Sequence, residues 1–236
     1  MWSSRAHGFL YLWWMMGTIT ALEVQKRNKE RVNVYLDDAY AFSLSLDEAA
    51  RLRKGQALSD ADIAALQNDD SLKRAVDSAS RYLVHRPRSI AEVRQNLADK
   101  EFPEPIIEAA VERLITLGYL DDHAFASFWV GERNRFKPLG TRALRYELRQ
   151  KGISEAIISD VLAELDVDDA AYRAALPQLR RLRGSSRRVF EQKIGGFLQR
   201  RGFSYDVARQ VLRQLQEELD ASDPAYFTGD SFDDNT

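Results

Sequence analysis

Six apolar positions recur three times along this chain, each copy about fifty residues after the last. Val93, Leu97, Phe102, Ile107, Val111 and Leu114 align with Leu144, Leu148, Ile153, Ile158, Leu162 and Leu165 at a constant offset of 51. A further shift of 50 reaches Ile194, Leu198, Phe203, Ala208, Leu212 and Leu215, where only Ala208 is small. A period of this size marks stacked supersecondary units, because one such unit cannot bury its apolar face alone. The chain is therefore expected to fold as a modular array and to work through an extended surface.

Each repeat reads as three helices. In the first, residues 72–85 form helix one, Ser89 and Glu92 make a capping box for helix two, and residues 104–117 form helix three with Pro105 near its start. The second has helices at 122–135, 141–150 and 154–165, and the third at 170–182, 187–200 and 204–219. Gly118, Gly152 and Gly202 sit at helix ends, where a left-handed backbone costs glycine little. Ahead of the repeats, residues 19–25 and 31–46 alternate in the strand period, with Val32, Val34 and Leu36 on one side and a turn at Asp37-Asp38. A small antiparallel sheet of two or three strands follows from this. Ser45 to Glu48 is a further capping box, Gly55 ends that helix, and a short helix from Ser59 to Leu66 precedes a polar break at residues 68–70.

The fold class is thus mainly α, three tandem three-helix repeats preceded by a small antiparallel β segment. The expected divisions are a leader at 1–16, the β-hairpin and short helices at 17–70, repeats at 71–120, 121–167 and 168–220, and an acidic disordered tail at 221–236. Within the leader, residues 9–16 are apolar or aromatic, like a short signal-peptide core. The run is short for a bilayer and lacks a small-residue cleavage site before Glu23. We read it as upstream of a true start at Met15 or Met16; the alternative is a membrane-contacting segment.

Cysteine is absent and the three histidines are scattered, so thiolate metal sites and disulfides are excluded and no histidine cluster is spaced for a metal or a triad. The formal charge of −2 conceals a polarity along the chain. Residues 133–201 carry sixteen Lys or Arg against eight Asp or Glu, whereas residues 221–236 hold four Asp and no base. A basic middle and an acidic tail point to a polyanionic partner and to a tail able to compete for the same surface.

Arg142, Arg145 and Arg149 recur at i, i+3 and i+7, one stripe of guanidinium groups on a helix whose Leu144 and Leu148 face elsewhere. Arg133, Arg135, Lys137 and Lys151 surround it. In the third repeat Arg187, Arg188, Lys193, Arg200 and Arg201, with Arg180, Arg181 and Arg183, flank a Gly184-Ser185-Ser186 loop. With Arg86 and Arg88 before the first capping box, these are the candidate filament- or nucleic-acid-binding residues, although a solvated basic face is the ordinary alternative. Tyr82, Phe125, Phe128, Trp129 and Tyr172 on the first helices are expected in the core. Gly118-Tyr119-Leu120-Asp121-Asp122 could hold paired carboxylates, but a helix end, packing at Tyr119 and Leu120 and an Asp cap explain it better. No nucleophile, phosphate loop or metal constellation points to catalysis or a cofactor.

The run from His85 to Ser89 with Glu92 and Leu97, then Gly118 to Asp122 with Phe125-Ala126, then Gly140, Leu144, Glu147, Leu148 and Lys151-Gly152-Ile153, together resemble the RecX family of recombination regulators over residues 19–219. The resemblance implies a cytoplasmic bacterial protein, expected as a monomer without enzymatic activity or membrane association. It would bind RecA, lie in the groove of the RecA–DNA filament and inhibit ATP hydrolysis, strand exchange and the SOS co-protease step, with weak direct DNA contact. A stand-alone DNA-binding protein reading duplex grooves with the Arg-lined second helices is the alternative. One departure stands out: Lys100-Glu101 replaces the Lys-Gly that the family often has, so that helix junction is expected to differ.

Overall fold

The structure, a computed structural model, describes residues 16–228. Residues 1–15 of the leader expected at 1–16 and residues 229–236 of the expected tail lie outside the described residues, while Met16 opens the first strand. The described chain divides into two compact units, one extending to Arg86 and including Val93–Tyr119, the other Pro87–Glu92 together with the chain from Leu120 onward.

The first unit opens with β1 (Met16–Val24), β2 (Arg31–Leu36) and β3 (Ala39–Ser45), joined later by β4 (Ala57–Ser59). They form one antiparallel sheet in the order β3-β2-β1-β4. The alternation in β2 and β3 places Val32, Val34, Phe42 and Leu44 on the buried face with Ile19 and Leu58. Asp37 and Asp38 both take positive φ, 48° and 64°, as a two-residue hairpin turn matched to strand twist demands. The fourth strand, three residues paired with Met16, Gly17 and Thr18, is too short to show a period in the sequence.

After α1 (Leu46–Ala49), capped by Ser45, comes α2 (Asp60–Leu83), a single 24-residue helix. This corrects the expected break at residues 68–70, and the reason is Asp70. Its side chain is 5% exposed, pairs with both terminal nitrogens of Arg31 at 3.1 Å and accepts the Ser45 N–H at 2.7 Å. A carboxylate that reads as a helix breaker is instead the group that fastens α2 to the sheet. Arg31 also donates to the Ser43 carbonyl at 2.8 Å, so one guanidinium ties two strands and the helix.

The repeats follow: the end of α2 with α3 (Ile90–Ala98) and α4 (Glu104–Thr116); α5 (Asp122–Phe136), α6 (Thr141–Gln150) and α7 (Glu155–Ala163); α8 (Val167–Leu182), α9 (Arg187–Arg200) and α10 (Tyr205–Ser222). Among the repeat-defining apolar residues, Phe102, Leu165 and Leu212 are half-buried and the rest are buried. Each of the second and third repeats has its own core, centred on Leu144, Leu148 and Ile158 and on Phe190, Ile194 and Leu198. No described helix is long and apolar enough to cross a membrane.

The second helix of every repeat ends identically. Phe102, Ile153 and Phe203 donate to the carbonyls of Leu97, Leu148 and Leu198 at 3.3, 3.1 and 3.1 Å, the six-to-one bond of a Schellman motif. The residue before each has φ of 62° at Glu101, 76° at Gly152 and 86° at Gly202. The first junction therefore keeps the common backbone despite its glutamate, contrary to the expectation that it differs. Space explains the exchange: a Cβ on Gly152 would lie 2.4 Å from the Ala91 Cβ, and one on Gly202 would lie 2.5 Å from the Ala143 nitrogen, whereas Glu101 is exposed.

Glu101→Gly is expected to stabilise the protein by up to about 1 kcal/mol in urea denaturation, the left-handed penalty removed less the added chain entropy. Gly202→Ala should cost at least ~2 kcal/mol through strain and overlap. For Asp70→Ala, the loss expected is about 3 kcal/mol, because the half-buried Arg31 loses its partner and the Ser45 N–H its acceptor. A loss under about 1 kcal/mol would mean the pair behaves as a surface bridge.

Candidate functional site

The basic residues singled out in the sequence do not form one free surface. Within the second unit, α6 carries the stripe Arg142, Arg145 and Arg149 as its spacing requires, but every member is engaged. Arg145 and Arg149 grip Glu155 of α7 at 2.9 and 2.8 Å, and Arg142 donates to the Gln199 carbonyl at 2.9 Å. The guanidinium row closes one helix pair and caps the end of another.

Arg133 and Lys151 are also structural. Arg133 Nε and Trp129 Nε1 both donate to Glu147 Oε2 at 2.8 Å, and the Arg133 guanidinium lies 4.6 Å from the Trp129 ring centre. Lys151 sits 5.1 Å from the same ring and bonds Glu92 at 2.8 Å. Glu92 and Ser89 exchange the reciprocal bonds of the expected capping box, each 3.2 Å. Arg86 and Arg88 are half-buried and take part in contacts of their own.

Repeats two and three meet at a joint built from helix ends. Gly140 N–H donates to the Arg201 carbonyl at 3.0 Å and Arg142 N–H to the Gly202 carbonyl at 3.3 Å. Arg201 returns a bond to the Pro138 carbonyl at 3.3 Å while stacking 5.0 Å from Phe197. Arg173 reinforces the joint through the Asn134 carbonyl and side chain at 2.8 and 2.6 Å. Neither Gly140 nor Gly202 has room for a Cβ.

Residues 221–228 correct the expected disordered tail as far as the structure describes them. They finish α10 and fold back over the polybasic loop. Gly184 N–H donates to the Tyr226 carbonyl at 2.8 Å, Thr228 N–H to the Ser185 carbonyl at 3.3 Å and the Tyr226 hydroxyl to the Leu179 carbonyl at 2.6 Å. Phe190, Tyr226 and Phe227 meet edge to face with centres 4.9–6.0 Å apart. Three aromatics outweigh the entropy of a short polar segment, and this is why the chain stays down. Arg183 pairs with Asp223, and Arg187 forks onto Asp220 at 2.9 and 2.6 Å with its charge over Phe227, holding the Asp220 carboxyl below its usual range.

What remains accessible is a subset. Arg135, Lys137, Arg180, Arg181, Arg188, Lys193 and Arg200 are exposed, and among the described residues none has an acidic partner. Arg135 lies 5.0 Å from the exposed Phe136 ring. Beside Arg188 a groove of about 750 Å³ separates α9 from α10, and it brings in Tyr205, Arg209 and Arg213, which the sequence reading missed. Their signal in the sequence is the polar residues at repeat-equivalent positions, where Tyr205 and Arg209 replace the acids Glu155 and Glu108.

The Gly118–Asp122 segment does what the simpler reading expected of its acids. Asp121 caps α5 through the N–H groups of His123 and Ala124 at 2.7 and 3.0 Å, and Asp122 accepts the Ile90 N–H at 2.9 Å. Leu120 is buried, but Tyr119 is 66% exposed and does not pack the junction. Phe125 is likewise buried while Phe128 is exposed, so the first-helix aromatics are only partly core.

The chain matches the Regulatory protein RecX N-terminal domain over residues 17–59, and the first, second and third RecX three-helix domains over 75–114, 121–162 and 166–212. It is 36% identical to Regulatory protein RecX of Bacillus pumilus over 86% of this chain and 79% of the relative. With the Bacillus subtilis protein of the same name it shares 35% identity over 87% and 80%. A crystal structure of regulatory protein RecX superposes with a TM-score of 0.66 at 32% identity, covering 83% of this chain and 98% of that one.

Burial holds the proton on Tyr226 above the ordinary tyrosine range. A proton bound more tightly in the folded state stabilises fully below about pH 10, the unfolded value, and is lost as pH rises through the elevated folded value. The thermal midpoint should therefore fall more steeply above about pH 10 in the parent than in Tyr226→Phe. Parallel curves would show that folding does not tighten the hold on the Tyr226 proton.

Proposed function

Since the chain belongs to the RecX family of regulatory proteins, we propose that it binds RecA and the RecA–DNA filament and restrains it. It acts without catalysis of its own, slowing ATP hydrolysis, strand exchange and the co-protease step. The observation that carries this reading is the division among the basic residues. Those of α6 are taken up within the fold, on Glu155 and the Gln199 carbonyl, while Arg135, Lys137, Arg188, Lys193 and Arg200 stand exposed without acidic partners among the described residues. Charges of that kind suit many modest contacts along a polyanionic assembly, and restraint follows if one filament state is bound better than another.

The same division weakens the reading as a stand-alone duplex binder, because its guanidinium row on α6 is engaged with Glu155 and the Gln199 carbonyl. On this reading the protein works in the bacterial cytoplasm beside RecA, as a monomer and with no cofactor.

ATP hydrolysis by RecA on single-stranded DNA is the direct assay. Added protein is expected to lower the rate, and charge reversal at Lys193 and Arg200 to raise the concentration needed by about thirtyfold, since each of the two lost contacts is worth roughly 1 kcal/mol. Hydrolysis unchanged at saturating protein would contradict the proposal.

A further inference from the structure

In the first two repeats, ion pairs close the groove between the second and third helices. Arg94 of α3 forks onto Glu108 of α4 at 2.6 and 2.8 Å, and Arg145 and Arg149 of α6 share Glu155 of α7. The repeat offsets carry these positions into the third repeat, where none of the sealing residues survives. Gly195 stands for Arg94 and Arg145, Gln199 for Arg149, Tyr205 for Glu155 and Arg209 for Glu108. The groove is open as a result and is lined by all four.

Packing does not require the two glycines of α9. A Cβ on Gly195 would meet only Leu212 Cδ1 at an ordinary 3.6 Å, and one on Gly196 only the mobile end of Arg200 at 3.3 Å. Two adjacent glycines inside a helix weaken it, yet they leave a floor on which a ligand can approach the backbone. Tyr205, Arg209 and Arg213 rise in one column along α10 at i, i+4 and i+8, with Tyr205 66% exposed. Arg188 stands on the α9 side, and none of the three arginines has an acidic partner among the described residues. The groove's own acid, Glu191, is held by Gln216 at 3.0 Å.

We propose that the α9–α10 groove is a binding lane for single-stranded nucleic acid, with Arg209, Arg213 and Arg188 on phosphates and a base stacked on Tyr205. An exposed aromatic face and a row of cations are what a single strand uses, and the recess between two helices does not offer a protruding helix to a duplex groove. Gln192 and Gln199 supply both donors and acceptors, which a base edge can use and a carboxylate cannot. An acidic peptide is thereby the poorer fit. This goes beyond the RecA reading and does not depend on it.

The test uses the full chain, labelled oligo-dT, a duplex of equal length and poly-glutamate as competitor, followed by fluorescence anisotropy across salt concentrations without RecA. Oligo-dT should bind in preference to duplex, Tyr205→Ala should weaken it about tenfold, and Arg209→Ala with Arg213→Ala should reduce the salt slope by roughly 1.4. Gly195→Arg with Tyr205→Glu, which restores the seal of repeat two, should abolish binding, with circular dichroism showing the fold intact. No binding of oligo-dT, binding indifferent to these substitutions, preference for duplex, or displacement by poly-glutamate at equal charge would each overturn the proposal. A RecA effect that persists after any of these results would leave the regulatory reading standing.

Discussion

The interlock of helix ends at Gly140 and Gly202 is the contact on which the second unit depends. Backbone N–H groups at the start of α6 meet backbone carbonyls at the end of α9, at 3.0 and 3.3 Å, where a methyl group on either glycine would collide with main chain. A helix end leaves unpaired groups that water or a partner must satisfy. Here the orphan groups of one repeat satisfy those of the next, so the joint adds directional bonds to whatever apolar area it buries. Gly152 against Ala91 applies the same steric condition one repeat earlier.

That joint also explains how the basic residues are distributed. Arg142 and Arg201 each reach a main-chain carbonyl across it, charge-assisted bonds that add to the interlock. Guanidinium groups at the joint are therefore retained for architecture. The charges left over stand at the ends of α5 and α8, along α9 and on α10. In the third repeat, the loss of the Arg–Glu seal frees a groove as well as charges. Duplicated units have kept one core while the polar positions between the apolar ones diverged.

The apolar skeleton was legible because burial imposes a period on it. Leu97, Leu148 and Leu198 fall at equivalent places and are all fully buried, and the caps at Ser45, Ser89 and Ser154 act through short-range bonds that four residues are enough to encode. Long-range polar pairing is not encoded locally. Asp70 reads as a break because nothing near it in sequence announces Arg31, 39 residues away. The α6 stripe reads as a free face because Glu155 and the Gln199 carbonyl belong to other helices. Residues 221–228 read as tail from their aspartate, while the aromatic pair Tyr226-Phe227 that holds them down needs Phe190 to have meaning.

Amide hydrogen exchange at Gly140 and Arg142 tests the interlock most directly. Both precede or open a helix, so neither has an intrahelical acceptor, and in an isolated repeat they would exchange as fast as a loop. The joint predicts protection comparable to that of the Leu144 and Leu148 amides inside α6, because opening requires the two repeats to separate. Exchange of Gly140 and Arg142 at unprotected rates, with Leu144 and Leu148 still protected, would contradict the account.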